Sequence, residues 1–317
     1  MEGREQPPRK RGVAAPIVCC AMATLTIAPR FCGPTGSGNG GYVAGALAAH
    51  AHHPEGIVTV SLRRPPPLGR ELRLDPPPPA EPAERLDGNG RADRTNEAAG
   101  SSSADRADGD TRLYDGDHLV AVARPGRFEQ PPVDSVTLPV ARAAEPTYRG
   151  YVDHPFPECF VCGTDRVAGD GLRLAPGATS PGHSACTWVP DAGLANGART
   201  GRVALEYVWS ALDCPSAWAS DLQQRPLVLG TITAECSEPP VAGRAHVVVG
   251  RLLAESGRKT FTASALYDPD GRLLGRAEQV WIAVDPATFS RPAVTSTSAT
   301  TSTAATTSTD VPGRMRR

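Results

Sequence analysis

Three groups of residues have the types and spacing that chemistry needs. The first is Gly36-x-Gly38-x-x-Gly41, inside FCGPTGSGNGGYVAGALAAH from Phe31 to His50. It matches letter for letter the glycine pattern of loops that seat a dinucleotide pyrophosphate on a helix N-terminus, a pattern with meaning only inside a strand–helix–strand unit. Asn39-Gly40-Gly41 would open a helix at Tyr42, exposing backbone N–H groups at its positive end, with Asn39 of the type that caps such an end. The second group lies in VALEYVWSALDCPSAW, from Val203 to Trp218. At 3.6 residues per turn, Leu205, Val208, Trp209 and Leu212 form an apolar face, with Glu206, Ser210 and Asp213 beside it. A carboxylate bordering a buried face is a candidate general base, its pKa raised by partial burial; a solvated polar stripe is the competing reading. The third group is Cys159-x-x-Cys162, flanked by His154. His183 and Cys186 would complete a Cys3His zinc set. The competing readings are a redox pair and a plain turn with two small buried thiols, and the plain turn is the one adopted. No metal and no cofactor are expected.

The elements that must position these groups follow from the rest of the chain. It has 317 residues and a formal net charge of -1, and its basic residues are almost all scattered arginines, so no nucleic-acid partner is expected. No run approaches the ~18 apolar residues of a membrane-spanning helix, so no membrane partner is expected either. RKR followed by GVAAPIVCCAMATLTIA has the outline of a signal segment. Thr24 to Phe31 alternates like a strand, however, and the expectation is a flexible N-terminus over 1–22 leading into that strand. Eight irregularly spaced cysteines suit a reducing compartment, and a cytoplasmic setting is expected.

Residues 76–110 are almost free of large apolar side chains and predict a disordered insertion; 287–317, rich in Ser and Thr, predict a disordered tail. A Pro-bearing connector over 126–150 separates two blocks, 23–125 and 151–286. Each reads as one helix followed by antiparallel strands. Ile57–Arg64, Arg70–Leu74 and a hairpin from Leu113 are expected in the first. Short strands at Gly171–Leu174 and Cys186–Val189, the Val203 helix and strands running to Val284 are expected in the second. Leu113-Tyr114-Asp115-Gly-Asp before LVAVAR parallels Leu266-Tyr267-Asp268-Pro-Asp-Gly before LLGRAE, two Asp/Gly turns in matching places. A parallel dinucleotide fold would need further helices after His50, and the first block offers strands. Arg63 and Arg64, where a 2′-phosphate partner would sit, are the one feature on that side.

One helix per block, opened by a Gly-rich turn and wrapped by antiparallel strands, resembles the hotdog fold. The segments Phe31–Ala48, His154–Leu174, Val203–Trp218 and Ser264–Ile282 resemble actinobacterial double-hotdog proteins of the acyl-CoA thioesterase-like type. The resemblance implies an α+β double hotdog: two long antiparallel sheets, each wrapping one central helix, forming an internal pseudo-dimer. It implies a ligand as well, an acyl-CoA or other acyl thioester, and a homodimer of double-hotdog chains as the assembly. Catalysis would need a polarised thioester carbonyl and an activated water. Asn39 would cap the helix or orient the thioester, and Gly40, Gly41, Tyr42 and Ser210 would contact substrate. Many hotdog thioesterases carry a catalytic carboxylate on this helix, which makes Glu206 and Asp213 the matches; Glu206 is preferred for lying nearer the helix start. Arg63, Arg64, Arg244, Arg258 and Lys259 would meet CoA phosphates or remain solvated. A non-catalytic acyl or CoA-ester binding module is the main alternative. Hydratase or dehydratase activity and dinucleotide binding stand behind it.

Overall fold

The computed structural model describes residues 23–51, 56–75, 109–196 and 200–289. The expected flexible N-terminus, nearly all of the expected insertion and almost the whole expected tail lie outside these residues.

Eleven antiparallel strands form one sheet. They are β1 (Ala23–Thr26), β2 (Val58–Leu62), β3 (Glu71–Asp75), β4 (Thr111–Asp115), β5 (His118–Pro125), β6 (Gly177–Ser180), β7 (His183–Trp188), β8 (Leu227–Cys236), β9 (His246–Ser256), β10 (Lys259–Tyr267) and β11 (Leu273–Ala283). The order across the sheet is β1-β3-β4-β5-β2-β8-β11-β10-β9-β7-β6. Outward from the β2–β8 seam, the sequence β2, β5, β4, β3, β1 on one side is matched by β8, β11, β10, β9, β7 on the other. The match extends to detail: the hairpin register slips between Leu113 and Tyr114 in one half and between Leu266 and Tyr267 in the other. These are the Leu-Tyr pairs that the sequence repeat brings out.

Two separate sheets were expected, and a single continuous sheet is found. β2 and β8 both present β-branched residues to each other, with Val60 opposite Ile232 and Thr59 opposite Thr233, whose hydroxyls are 2.7 Å apart. Pairing them satisfies two rows of backbone groups that would otherwise form exposed edges. The dinucleotide reading fails here too, since the glycine loop feeds a helix that is followed, among the described residues up to Pro125, by antiparallel strands. Gly171–Leu174 is not a strand. Arg173 sits at φ 53°, which breaks the extended run, and the segment lies against Phe160 and Val161 through the Leu172 and Leu174 N–H groups.

Helices α1 (Gly40–Ala48) and α3 (Leu205–Ala217) lie side by side on one face of this sheet. Alternation along the strands divides the faces. On β10, Thr262, Ser264 and Leu266 face the helices, while Ala263, Ala265 and Tyr267 face a second apolar cluster with Val133 and Ala141. Ala141 belongs to α2 (Leu138–Ala144), a helix within the connector. Towards α3, the Gln279 amide donates to the Leu212 carbonyl at 2.8 Å and to the Ser264 hydroxyl at 2.8 Å, and Ser264 donates to the same carbonyl at 2.6 Å. This buried network ties α3 to β10 and β11 by directional bonds, which fix its position along the sheet more tightly than apolar contact does.

His246, at the start of β9, is buried and its Nδ1 has no hydrogen-bond partner. Burial pushes its pKa below the usual histidine value. The unfolded chain therefore binds the proton more readily, so His246 makes stability fall as pH drops through about 6.5. The expected outcome for His246→Phe is a shallower loss of melting temperature between pH 7 and pH 5 than in the unaltered protein, measured by scanning calorimetry. Parallel curves would remove His246 as a contributor.

Candidate active site

Gly41 and Gly45 are four residues apart and share one face of α1; Glu206, Trp209 and Asp213 share one face of α3. The two faces meet at very short range. A Cβ on Gly41 would lie 2.6 Å from Asp213 Cβ, and one on Gly45 would lie 2.7 Å from Glu206 Cα. The start of α1 therefore abuts the end of α3, and the helices run antiparallel.

That direction brings Asp213 to the N-terminus of α1. Its Oδ2 accepts from the Gly41 N–H at 2.9 Å and from Asn39 Nδ2 at 3.1 Å. Asn39 Oδ1 accepts from the Tyr42 N–H at 2.9 Å, which caps α1 and fixes which way the amide points. The same Nδ2 lies 3.9 Å from Cys159 Sγ. Asp213 is 1 % exposed, and its Oδ1 is buried without a hydrogen-bond partner. Burial raises its pKa to about 7, against the bonds from Gly41 and Asn39 that favour the charged form. A carboxylate poised near neutrality with an unengaged oxygen has the properties of a general base.

Beside it lies a cavity of about 370 Å³, lined among others by Asn39, Gly40, Asp213, Phe156, Leu229 and Trp281. With Gly41 and Tyr42 N–H groups engaged, Gly40 supplies the first-turn amide on the cavity side, and it makes no backbone hydrogen bond among the described residues. The walls are mainly apolar, and the rim carries the exposed Arg63, Arg64 and Arg258.

The structure thus gathers Asn39, Gly40, Gly41 and Asp213 at one point. Glu206 lies elsewhere. In antiparallel packing the first turn of α3 faces Gly45, about 10 Å along the helix axis from Asp213. Ser210 is buried and donates to the Glu206 carbonyl at 2.6 Å. Tyr42 points away from the cavity and stacks on Phe31, with ring centroids 3.9 Å apart. Arg244 and Lys259 are not among the cavity residues.

The cysteine reading changes. His183 and Cys186 do not join Cys159 and Cys162: both lie on β7, and three positions apart on a strand they point to opposite faces, His183 exposed and Cys186 buried. Cys214 joins them instead, from the turn of α3 that carries Asp213. The Cys159, Cys162 and Cys214 sulfurs all lie within 4.8 Å of one another and line the cavity. Nothing in the spacing of Cys214, 52 residues beyond Cys162, signals this. Its position directly after a candidate carboxylate on a buried helix was the available hint.

No family model and no curated protein matches this sequence. Among solved structures, the TesB protein of Mycobacterium avium subsp. paratuberculosis is similar over 83 % of this chain and 92 % of its own, at 11 % identity and a TM-score of 0.49. A protein of unknown function with a hotdog fold from Alicyclobacillus acidocaldarius is similar over 79 % of this chain and 89 % of its own, at 13 % identity and a TM-score of 0.40. A thioesterase superfamily protein is similar over 35 % of this chain and 57 % of its own, at 18 % identity and a TM-score of 0.32. Among the described residues, no helix is long and apolar enough to cross a membrane. Of these three structures, one is described as having a hotdog fold and one as a thioesterase superfamily protein.

Proposed function

We propose that the protein binds an acyl thioester in the cavity beside α1 and α3 and hydrolyses it with Asp213 as general base. The observation that carries this reading is the buried Asp213 carboxylate, held through Oδ2 with Oδ1 unengaged, next to the open Gly40 N–H at the positive end of α1. Asp213 Oδ1 takes a proton from water as the water oxygen bonds to the carbonyl carbon. Negative charge gathers on the carbonyl oxygen, where the Gly40 N–H and the helix dipole stabilise it. The intermediate collapses, the C–S bond breaks, and protonated Asp213 returns its proton to the departing thiolate. The products are a carboxylic acid and a free thiol. Asn39 is a positioning residue, since its amide orients the carboxylate and caps the helix in one arrangement.

The apolar walls suit an acyl chain, and the three rim arginines suit a phosphorylated carrier such as coenzyme A. Hydrolysis is tested with a panel of acyl-CoA thioesters, read by release of free thiol. Turnover on at least one is expected. Saturable binding without thiol release from any of them would overturn hydrolysis and leave a binding module. Reversing charge at the rim, in Arg63→Glu/Arg64→Glu, is expected to raise KM for an acyl-CoA about tenfold with kcat little changed. The effect should shrink at high salt. An unchanged KM would detach these arginines from the carrier.

A further inference from the structure

The three-cysteine cluster at the base of the cavity has no part in the hydrolysis described above. We propose that Cys159, Cys162 and Cys214 bind one soft divalent ion of the zinc class as three thiolates, with the fourth coordination position open to the cavity.

The geometry fits such an ion. Cys159 Sγ and Cys214 Sγ are 3.8 Å apart, and all three sulfurs lie within 4.8 Å of one another. Tetrahedral zinc, with Zn–S bonds of about 2.3 Å, separates its sulfurs by about 3.8 Å. The Cys-x-x-Cys segment is already wound into a tight loop. The Gly163 N–H donates to the Cys159 carbonyl at 2.8 Å, and a Cβ on Gly163 would lie 2.4 Å from that oxygen. Cys214 approaches from α3, whose position the Gln279 and Ser264 network fixes independently of the sulfurs.

Metal binding converts buried thiols to thiolates by displacing their protons. Two buried nitrogens here, Nε1 of Trp218 and Nε2 of His154, have no hydrogen-bond partner. Trp218 neighbours Cys162, and His154 neighbours Cys159. His154 Nδ1 accepts from the Phe156 N–H at 2.9 Å, so in the neutral ring the proton sits on Nε2, and Trp218 Nε1 and His154 Nε2 are both donors. Asn39 Nδ2 adds a third donor, 3.9 Å from Cys159 Sγ. Thiols are weak acceptors and leave these donors poorly satisfied, whereas thiolates accept them well. Three buried thiolates in turn require a cation.

The tautomer of His154 also decides the fourth ligand. With Nδ1 accepting, Nε2 has no lone pair to give a metal, and it is not among the mutually close ligand atoms. His154 is therefore not the fourth ligand, which leaves that position to the cavity the three cysteines line. Three protein ligands and one exchangeable position are the arrangement of a reactive rather than a purely structural site.

The test uses the full-length protein purified without added metal or chelator. Elemental analysis is expected to find about one zinc-class ion per chain, falling at least tenfold in Cys162→Ser and in Cys214→Ser. Should the variants fail to fold, Co²⁺ exchanged into the unaltered protein is the second measurement. It should give intense visible bands of a tetrahedral thiolate site, and their position should shift when a small thiol such as 2-mercaptoethanol is added. Metal below a tenth of an ion per chain with no Co²⁺ spectrum would overturn the proposal. So would mass-spectrometric detection of a native disulfide between any two of the three cysteines. A Co²⁺ spectrum insensitive to thiol would overturn the open position. These readouts do not depend on thioester turnover, so the metal site and the hydrolytic reading fail separately.

Discussion

Asp213→Asn is expected to lower kcat for acyl thioester hydrolysis by about 10²- to 10⁴-fold, the range associated with loss of a positioned general base. The substitution keeps the shape of the side chain. Its amide oxygen still accepts from the Gly41 N–H and from Asn39 Nδ2, the two bonds that hold Oδ2. Only the basic, unengaged oxygen is lost, replaced by an amide nitrogen that cannot take a proton from water. The fold should therefore survive. Trading a buried carboxylate for a neutral group removes a desolvation cost, while the new N–H lacks a partner, so the net change in stability should stay within about 1 kcal/mol. The expected combination is a collapsed kcat, a KM within a few fold of the original and an unaltered melting temperature. Turnover within threefold of the parent would sink the role given to Asp213. Glu206→Gln serves as the contrast: it lies against Gly45 and outside the cavity, so its kcat should be close to that of the parent.

Gly45→Val is expected to destabilise the protein by about 3 kcal/mol, and Gly45→Ala by a smaller amount of the same sign. The alanine variant is the sharper test, because helix propensity predicts the opposite: an alanine for a glycine inside a helix gains about 1 kcal/mol. Packing should win. The added Cβ would lie 2.7 Å from Glu206 Cα and 2.8 Å from Trp209 Cβ, and a backbone neighbour cannot be turned aside like the end of a flexible side chain. Relief requires α1 and α3 to separate, and a core packed to crystal density resists that at a cost of about 1–3 kcal/mol. Separation would also draw Asp213 away from the Gly41 N–H, so activity should fall along with stability. Urea denaturation checks the sign: an alanine variant with a higher midpoint than the parent would show that helix propensity outweighs the packing between α1 and α3.

Much of the fold is legible in the sequence because it depends on local patterns. The Asn39 cap ahead of Gly40-Gly41 marks the start of α1, and the apolar spacing of Leu205, Val208, Trp209 and Leu212 marks α3. The repeated Leu-Tyr-Asp turn identifies equivalent hairpins, which carry the same register slip. Two features escape local reading. α2 is short and lies in a Pro-bearing stretch, held by contacts to β7 and β9 rather than by a strong pattern of its own. Fusion of the half-sheets depends on which strands become neighbours, and β2 and β8 are more than 160 residues apart.

The candidate site divides the same way. The sequence by itself supplied the ingredients: a capped, glycine-rich helix start, two carboxylates on a second helix, a Cys-x-x-Cys turn and scattered arginines. It could not rank the carboxylates, because ranking them needs the relative direction of two helices. Nearness to the start of α3 favoured Glu206, but the glycine face of α1 admits α3 only in antiparallel contact, and that sets Asp213 against the Gly41 N–H. Nor could it complete the cysteine cluster, since strand alternation separates His183 from Cys186 while helix packing delivers Cys214. Residue types, caps and periodicities are properties of a few neighbouring positions, and the chain states them directly. Which carboxylate meets which amide, and which third thiol meets the pair, are settled by close packing between elements far apart in sequence, and only the tertiary structure contains that.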